Sequence, residues 1–596
     1  MGTSVFAERI DALRAVMAAS GVDACVVPSS DPHLSEYLPP RWQTRQWLTG
    51  FRGSAGTLVV TPRFAGLWTD SRYWEQADKS LDGTGIQTMR AGAAGVPGIV
   101  DWLLANVARG GRVSFDGQVL DVKSHRDWSA RLATHDIGLL CDRDLPDQIW
   151  TDRPAPPSAA VYEHQPPFAC RKRSDNIAQV RDAMRAHEAG WHWISSLDDI
   201  AWLLNLRGAD VRYNPVFMAH LLIGPDSVQL FVAPEKISQA VRAALARDGV
   251  RVEPYDGARE ALAGLPAGAS LLIDPVRTTV GVLQFAQATL IEAMNPSQLL
   301  KSRKNAAEIE QVRRTMEQDG AALCEFFAWF ETALGKERIT ELTVDEKLTA
   351  ARARRANFVC PSFATIAAYN ANGAMPHYQA TKTSYAEITG RGLLLIDSGG
   401  QYLGGTTDIT RVVAVGAVDA DRKRDYTAVL RGMIALSQAV FPRGTASPML
   451  DTVARMPIWQ TGADYGHGTG HGVGYFLNVH EGPQAIAYRA PVTPQRAMEP
   501  GMITSNEPGL YRPGHWGIRI ENLVVNQPAR KTEFGEFLEF ETLTLCPIDT
   551  RCVDLEALSI SDRTWLNGYH DEVRRRLLPL VAGAAREWLL ERTRAV

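Results

Sequence analysis

A repeated pattern in the first half of the chain is the feature that most restricts its fold. The segment WLTGFRG at 47–53 resembles WLLNLRG at 202–208, and each follows an amphipathic helical pattern and a short strand-like run. Each is followed by further apolar runs, TLVVTPRFAGLW and AHLLIGPDSVQLFV, and then by another helical pattern. Self-similarity of this kind predicts a duplicated α/β domain. Chance similarity over so few positions is the alternative.

Two breaks divide the 596-residue chain, whose length corresponds to about three or four domains. The stretch TDRPAPPSAAVYEHQPPFA at 151–169 holds five prolines and is typical of an extended linker. A long helical pattern begins after AMNPSQLL, and Asn305 with Glu308 three residues later forms a candidate cap. We therefore predict a mixed α/β (α+β) protein of three domains: two similar α/β domains at 1–152 and 153–302, and a larger domain at 303–596.

Composition and charge exclude several classes of protein. Hydrophobic residues make up 45% of the chain, and 63 basic against 67 acidic residues give a net charge of −4, which favours neither nucleic acid nor an anionic membrane as partner. The first residues, with Glu8 and Asp11, indicate an amphipathic helix rather than a signal peptide, and Phe6 does not fit a myristoylation signal. Seven cysteines without a CxxC pair indicate reduced thiols and a cytoplasmic location.

Acidic residues lie on two predicted hairpins in the third domain. In GLLLIDSGGQYLGGTTDITRVVAVG, two apolar runs flank a glycine-rich turn, so antiparallel pairing would bring Asp397 and Asp408 close together. In GMITSNEPGLYRPGHWGIRIENLVVN, Glu507 and Glu521 lie on the two arms around a Pro-Gly turn. Each acid alone has an ordinary explanation as a turn or strand-end residue. Glu521 is the hardest to explain in this way, because an unpaired carboxylate in a half-buried strand is costly.

Two histidines and five glycines share the segment GHGTGHGVG at 466–474, and His480 follows nine residues after His471. Glycine lets the backbone approach other groups closely, although a surface loop that happens to hold histidines is the ordinary alternative. Four carboxylates converging on His471 would repel one another unless cations were bound. Two divalent ions would balance these charges, and oxygen-rich ligation with one imidazole favours Mn²⁺. The pattern therefore predicts a dinuclear hydrolase.

The same segments resemble those of the pita-bread metallopeptidases, which include methionine aminopeptidase, prolidase and Xaa-Pro aminopeptidase. The order Asp, Asp, His, Glu, Glu is carried by DSGGQYLGGTTDITR, GHGTGHGVG, SNEPGLY and GIRIENL, with NVHEGP between them. Other segments resemble the three-domain aminopeptidase P of the eukaryotic cytosol and some bacteria: DPHLSEYLPP, GFRGSAGTLVVT, LWTDSRYWEQA, DDIAWLLNLRGADVRYNPVF, KSRKNAAEIEQVRR and WLNGYHDEV. The resemblance spans nearly the whole chain. It implies two creatinase-like N-terminal domains followed by a pita-bread catalytic domain.

This resemblance implies a role for each candidate ligand. Asp397 would ligate one metal ion, while Asp408 and Glu521 would bridge two ions. His471 and Glu507 would complete the second site, and Glu507 would also be the general base acting on a bridging, metal-activated water. The implied cofactors are two divalent ions per chain, with Mn²⁺ preferred and Co²⁺ or Zn²⁺ as alternatives.

Four further residues match positions that contact the substrate in the family. His377, in NGAMPHYQA, and His480 match histidines that would contact the peptide and stabilise the charged intermediate. His467 matches another imidazole near the substrate, with a structural histidine as an equal alternative. Arg72, in TDSRYW, matches a peptide-contacting arginine of the first domain, and a salt bridge with Asp70 is its ordinary alternative.

The implied activity is hydrolysis of the bond between an N-terminal residue and a following proline. An Xaa-Pro dipeptidase (prolidase) is the first alternative, although prolidases resemble two-domain chains. A non-catalytic pita-bread binding scaffold is the second, and the complete set of ligand residues argues against it. Family similarity and the apolar C-terminal segment WLNGYHDEVRRRLLPLVAGAAREWLLERT also predict a homodimer. The expected partners are peptides with proline at the second position, without nucleic acid or membrane.

Overall fold

A computed structural model describes residues 4–596 of the chain, so residues 1–3 of the predicted first domain lie outside the described part. The described chain divides into two compact units. The first contains the residues up to Gln165 and Arg171–Ser297, and the second contains Pro166–Cys170 and Gln298–Val596. The domain boundaries at 152 and 302 remain predictions. Among the helices within 4–596, none has the length and apolar character needed to cross a membrane.

The first unit begins with a six-stranded sheet. Its strands are β1 (Ala24–Pro28), β2 (Thr57–Val60), β3 (Ala65–Thr69), β4 (Gln87–Arg90), β5 (Arg112–Phe115) and β6 (Gly138–Leu140). They lie in the order β4-β3-β2-β1-β5-β6, with β2 antiparallel to both of its neighbours. The helices are α1 (Val5–Ala19), α2 (Thr44–Thr49), α3 (Trp74–Leu81), α4 (Ile99–Asn106) and α5 (Val122–Ala133). The predicted N-terminal amphipathic helix is confirmed as α1, whose residues Ile10, Leu13 and Met17 are buried.

A second six-stranded sheet follows in the same unit. After the short strand β7 (Tyr162–Glu163), which pairs with β9 (Leu206–Arg207), its strands are β8 (Trp191–Ile194), β10 (Ala219–Ile223), β11 (Val228–Val232), β12 (Val250–Glu253), β13 (Ser270–Ile273) and β14 (Thr289–Glu292). They lie in the order β12-β11-β10-β8-β13-β14. The helices are α6 (Arg173–Ala186), α7 (Leu197–Leu204), α8 (Gln239–Arg247), α9 (Ala258–Ala263) and α10 (Val280–Leu283).

The two sheets share one topology, as the repeated pattern predicted. In each, the first strand pairs antiparallel on one side and parallel on the other, and both edge strands pair parallel with their neighbours. The repeated motif ends a helix in both copies. Gly50 (φ 74°) follows α2 and Asn205 (φ 49°) follows α7, each in the left-handed conformation that terminates helices. Glycine and asparagine are the residues that adopt this conformation most readily, so these equivalent positions carry compatible residues.

The second unit holds the remaining elements. Its helices are α11 (Pro296–Ser302, which spans the division between the units), α12 (Ala306–Ala333), α13 (Glu341–Ala353), α14 (Ala420–Ser437), α15 (Asp451–Trp459), α16 (Ile560–Leu577) and α17 (Gly583–Arg592). Its strands are β15 (Phe358–Pro361), β16 (Ile366–Tyr369), β17 (Gly392–Ser398), β18 (Gly400–Tyr402), β19 (Gly405–Thr406), β20 (Ile409–Val415), β21 (Val440–Pro442), β22 (Gly470–His471), β23 (Ala485–Ile486), β24 (Ile503–Asn506), β25 (Gly509–Arg512), β26 (Trp516–Arg519), β27 (Asn522–Thr532) and β28 (Gly535–Thr542). Antiparallel sheets β16-β17-β20 and β21-β28-β27-β24 form its centre.

The long helix α12 and the C-terminal helices cover this centre. The predicted capping box at Asn305 and Glu308 is present at the start of α12. Leu566 and Val573 of α16 and Leu589 of α17 are buried in the core of the same unit, whereas Ile560 and Leu590 are exposed. Packing within the chain thus accounts for much of the apolar character of the C-terminal segment. The segment therefore gives little support to the predicted homodimer.

Candidate metal centre

Asp397 and Asp408 come together on neighbouring strands, as the hairpin pattern predicted. Strand β17 pairs antiparallel with β20 in a register that places Asp397 opposite Thr410 and Ser398 opposite Ile409. Asp408 therefore lies one residue beyond the last pair. Both aspartates are buried, at 9% and 5% exposure. The intervening β18 and β19 belong to a separate sheet with β15, so the turn is longer than a simple hairpin loop.

Glu507 and Glu521 lie opposite each other at a break in the second pair of strands. The ladder of β24 with β27 ends at Asn506 opposite Asn522, and the ladder of β25 with β26 ends at Gly509 opposite Arg519. The two glutamates fall between these ladders. The Glu521 N–H donates to the Thr410 carbonyl at 3.1 Å, which joins this break to β20 and its aspartates.

The glycine-histidine segment enters the same site. His471 lies on β22, where its N–H donates to Ser505 Oγ at 2.9 Å. A Cβ on Gly470 would lie 1.9 Å from the Ser505 carbonyl oxygen, and one on Gly472 would lie 2.0 Å from the Glu481 carbonyl oxygen. These contacts are too short for any side chain, so the glycines allow the close backbone approach that positions His471.

The imidazole of His471 faces the acids. Its Nε2 lies 3.5 Å from Asp408 Oδ2 and 3.3 Å from Glu507 Oε1, while Nδ1 lies 3.0 Å from the Gly472 carbonyl oxygen. A proton on Nδ1, donated to that carbonyl, leaves Nε2 available as a metal ligand. Ligand atoms of Asp408, His471 and Glu521 all lie within 4.8 Å of one another.

The electrostatics of the cluster fit a pair of divalent cations. Burial, aided by the charges of Asp408 and Glu507 and opposed by Arg519, raises the pKa of Asp397 to about 7. Burial and repulsion by the other three acids likewise raise the pKa of Glu521 well above its ordinary value. Buried oxygens of Asp397 (Oδ1) and Glu521 (Oε1) have no hydrogen-bond partner. Acceptors of this kind are satisfied by metal ligation, so the donor set fits the expected ions.

For His471, burial lowers the pKa, but the hydrogen bond to Asp408 and the charge of Glu507 outweigh this effect and raise it to about 9. The ring therefore competes for a proton whenever the acids carry uncompensated charge. A bound cation at Nε2 would replace that proton, since a metal-ligating imidazole must be neutral.

Arg519 is a member of the site that sequence reasoning missed. Its side chain is 3% exposed, and it donates to Asp397 Oδ2 at 2.6 Å, to the Tyr511 hydroxyl at 2.6 Å and to Thr410 Oγ1 at 3.2 Å. Thr410 in turn donates to Glu521 Oε2 at 2.7 Å. The alternation of side chains along a strand could have identified it. Residues two positions apart point to the same face of a strand, and Arg519 precedes Glu521 by two positions.

The predicted substrate histidines have different surroundings. The ring of His480 lies 4.3 Å from that of His471, centroid to centroid, at an angle of 87°. His467 Nε2 lies 2.8 Å from the Tyr511 hydroxyl, and therefore joins the hydrogen-bond network of Arg519. His377 lies in a turn after β16, and the preceding carbonyl, that of Pro376, accepts a 3.4 Å hydrogen bond from Arg519.

Arg72 belongs to the first unit and lies just before α3. Its guanidinium donates through two nitrogens to Asp70, at 2.8 and 2.7 Å, which is the contact expected from the ordinary alternative. The hydrogen bond to Asp70 raises the pKa of Arg72 above its usual range. A role for this arginine in substrate binding remains a prediction.

Comparison with known protein families accounts for most of the chain. Residues 310–527 match metallopeptidase family M24, and residues 536–596 match the C-terminal region of that family. Residues 9–143 and 152–308 each match the creatinase/prolidase N-terminal domain. These matches, to two models of that N-terminal domain, agree with the shared topology of the two six-stranded sheets.

Individual relatives match over nearly the full length. Aminopeptidase P2 of Arabidopsis thaliana is 39% identical over 98% of this chain and 88% of its own, and Xaa-Pro aminopeptidase 1 of Dictyostelium discoideum is 37% identical over 98% and 94%. The crystal structure of an X-prolyl aminopeptidase from Caenorhabditis elegans, described as a cytosolic enzyme with a di-nuclear active site, matches with a TM-score of 0.94. It is 31% identical and covers 99% of this chain and 100% of that one.

Proposed function

The chain belongs to the Xaa-Pro aminopeptidases of metallopeptidase family M24, and we propose that it releases the N-terminal residue from peptides whose second residue is proline. One observation carries this proposal. The cluster of buried Asp397, Asp408 and Glu521 with half-buried Glu507 and His471 lies in a chain that matches such enzymes over nearly its full length. A bond to proline is a tertiary amide without an N–H, so a dedicated site for it is chemically sensible.

Five residues of the second unit would hold two divalent metal ions: Asp397, Asp408, His471, Glu507 and Glu521. Asp408 and Glu521 would bridge the pair, as the family resemblance implies. When bound, such ions lower the pKa of a water molecule and stabilise negative charge on the carbonyl oxygen of the substrate. The oxygen-rich donor set favours Mn²⁺, with Co²⁺ or Zn²⁺ as alternatives.

Glu507 is proposed as the general base that takes a proton from the attacking water and passes it to the proline nitrogen. Its N–H donates to the Thr469 carbonyl at 2.8 Å, and its carboxylate accepts a 3.0 Å hydrogen bond from Ser505 Oγ, so its position is well defined. Burial raises the pKa of this carboxyl above its usual value, although His471 and Arg519 oppose the effect. A raised pKa makes a carboxylate a better proton acceptor near neutral pH.

The histidines supply the remaining polar contacts. His480, next to His471, and His377 would donate to the substrate carbonyl as negative charge develops on it, in the manner of oxyanion-hole donors. His467 would support the site indirectly, because its Nε2 contacts the Tyr511 hydroxyl. Arg72 would contact the peptide through the N–H groups of its guanidinium that do not donate to Asp70.

A prolidase is the main alternative, and a non-catalytic scaffold is the second. Two creatinase-like sheets precede the metallopeptidase part of the chain. This arrangement favours the aminopeptidase, because the aminopeptidases named above match this chain across both sheets and the metallopeptidase part. The complete set of acidic ligands argues against a scaffold.

We also propose a homodimer in the cytoplasm. The support for self-association is an exposed apolar face at α15, where Met449, Met456 and Trp459 are 61%, 56% and 41% exposed. Their spacing of seven and three residues puts them on one side of the helix and its preceding turn, and contiguous exposed apolar residues mark interaction surfaces. None of the seven cysteines within residues 4–596 forms a disulfide, which fits a reducing compartment. Light scattering at micromolar concentration would give twice the single-chain mass, and a single-chain mass would contradict the dimer.

The decisive experiment measures release of the first residue from an Arg-Pro-Pro tripeptide and from Xaa-Pro dipeptides. The purified chain would be tested after chelation and again after addition of Mn²⁺. We expect cleavage of the tripeptide that is lost on chelation and restored by the metal. Glu507→Gln is the matched control, which should lower kcat more than it raises KM at measured metal content. Cleavage of dipeptides alone would favour the prolidase, and no cleavage by the metal-loaded chain would favour the scaffold.

A further inference from the structure

The carboxylate of Glu341 is the centre of a buried hydrogen-bond cluster in the second unit. Glu341 is the first residue of α13 and is fully buried. It accepts hydrogen bonds from four residues of one segment, 369–386: from Tyr369 N at 2.7 Å, Asn372 Nδ2 at 2.9 Å, the Tyr378 hydroxyl at 2.8 Å and Ala386 N at 2.7 Å. A single buried side chain therefore contacts the start, the middle and the end of this segment.

Capping of α13 does not explain this arrangement. The N-cap residue is Thr340, whose hydroxyl accepts from Thr343 N at 3.2 Å, and the Thr343 side chain accepts in return from Thr340 N at 3.3 Å. The first turn of the helix thus has its own capping box, and the carboxylate of Glu341 is directed instead to the segment. Because a buried carboxylate is costly unless it is well hydrogen-bonded, the four donors and the acid stabilise one another.

His377 lies inside this segment, between two anchored neighbours. Tyr378, which follows it, is buried and bonded to Glu341. Pro376, which precedes it, accepts a hydrogen bond from Arg519, and Arg519 also binds Asp397. The backbone on one side of His377 is therefore tied to the candidate metal centre, and on the other side to Glu341.

Without these ties the segment has little regular structure to hold its shape. Between β16 and β17 it contains one short 3₁₀ turn, Asn370–Ala374, and connecting segments are usually the more mobile parts of a fold. A side chain that must donate to a reacting carbonyl has to be held within a fraction of an ångström, because small displacements reduce the rate strongly.

We propose that Glu341 is a positioning residue that holds His377 at the substrate, acting through Asn372 and Tyr378. This inference rests on the proposed function, since it assumes that His377 contacts the peptide. It assigns to a buried acid outside the metal-ligand set a role that neither the motif pattern nor the family similarity attributes to it.

The test is a double-mutant cycle between Glu341→Gln and His377→Ala. Glutamine keeps the shape of the side chain but turns one acceptor into an N–H₂ group that faces donors, so part of the cluster is lost. We expect Glu341→Gln to lower kcat/KM for the Arg-Pro-Pro tripeptide by roughly 10- to 100-fold with two metal ions still bound. In the His377→Ala background the same change should have almost no further effect, because the residue through which it acts is gone.

Two further variants separate positioning from general destabilisation. Val344→Ala removes buried apolar contacts of the same helix α13 but none of the hydrogen bonds to 369–386, and it should leave kcat/KM near the parental value. Tyr378→Phe removes one hydrogen bond from Glu341 and should give a smaller loss, also absent in the His377→Ala background. It serves as the test if Glu341→Gln does not fold.

The outcomes are distinct. One contrary outcome is that His377→Ala lowers kcat/KM while Glu341→Gln has the same kcat/KM as Val344→Ala. Another is that the losses in kcat/KM multiply in the double variant. In either case Glu341 does not act through His377, and the inference is wrong. If His377→Ala itself cleaves at the parental rate, the assigned role of His377 in the proposed function is wrong, and the inference fails with it. Faster amide hydrogen exchange in 372–386 for Glu341→Gln, but not for Val344→Ala, would support the positioning role independently.

Discussion

Replacement of Arg519 tests the arrangement of the metal centre most directly. The guanidinium is buried and contacts Asp397, Tyr511 and Thr410 at once. Arg519→Lys keeps the positive charge but loses the planar fork, so the ammonium can replace only part of these contacts. We expect both metal ions to remain bound in this variant, because the acids themselves are unchanged, while Asp397 loses its defined orientation.

The structure sets the size of the effect. An ammonium that stays with Asp397 gives up the hydrogen bonds to Tyr511 and Thr410, which contribute about 0.5–1.5 kcal/mol each, or about 1–3 kcal/mol together. If this loss falls on the transition state, kcat/KM decreases by roughly 5- to 150-fold. Arg519→Met removes one partner of the buried ion pair with Asp397. It should lower the free energy of unfolding by about 3–5 kcal/mol, the usual range when a buried charge is left without its partner.

The assay is kcat/KM for the Arg-Pro-Pro tripeptide together with metal content for each variant. Arg352→Lys is the matched control, because Arg352 is equally buried and pairs with Asp319 at 2.7 Å in the same unit. This control should lose stability but keep kcat/KM near the parental value. If Arg519→Lys reduces kcat/KM no more than Arg352→Lys does, then Arg519 only stabilises the fold and the reasoning is refuted.

Three further substitutions test individual roles. Asp408→Asn removes a bridging charge and should abolish two-ion occupancy and activity; a variant that still holds two tight ions would make Asp408 a turn residue. His480→Ala should keep both ions and lose about 2–4 kcal/mol of transition-state stabilisation in kcat/KM, whereas loss of metal would identify His480 as a ligand. Arg72→Ala should keep both ions and lower kcat/KM by about 1.5–3 kcal/mol, and parental rates on Xaa-Pro peptides of every length would assign Arg72 to the surface.

Local patterns predicted much of the fold. The capping box at Asn305 and Glu308 and the amphipathic α1 depend only on residues a few positions apart, so the sequence contains all the information needed for them. The adjacency of Asp397 and Asp408 follows from the antiparallel pairing of the two apolar runs, which are β17 and β20 in the structure. The duplicated sheets follow from the repeated motif, whose helix-ending Gly50 and Asn205 occupy equivalent positions.

Long-range packing explains what the patterns missed. The alternation of side chains along a strand could have suggested that Arg519 shares a face with Glu521, but its partner Asp397 lies 122 positions away. The C-terminal segment was interpreted as an interface because apolar residues do not reveal which surface they cover. In the structure, Leu566 and Leu589 are buried within the same unit.

The sequence by itself determined the chemistry available to this protein: which acids and imidazoles it has, and which strands and turns carry them. Only the tertiary structure decided how these groups meet. It places the break in the second pair of strands beside β20, where the Glu521 N–H reaches the Thr410 carbonyl, and it passes the glycine-histidine segment close enough for His471 to face both hairpins. The physical reason is that strand periodicity and turn residues act over a few positions. Convergence of the four carboxylates depends instead on the packing of segments about 100 residues apart in the sequence. The mutual repulsion of these carboxylates is tolerable only at a site built for cations.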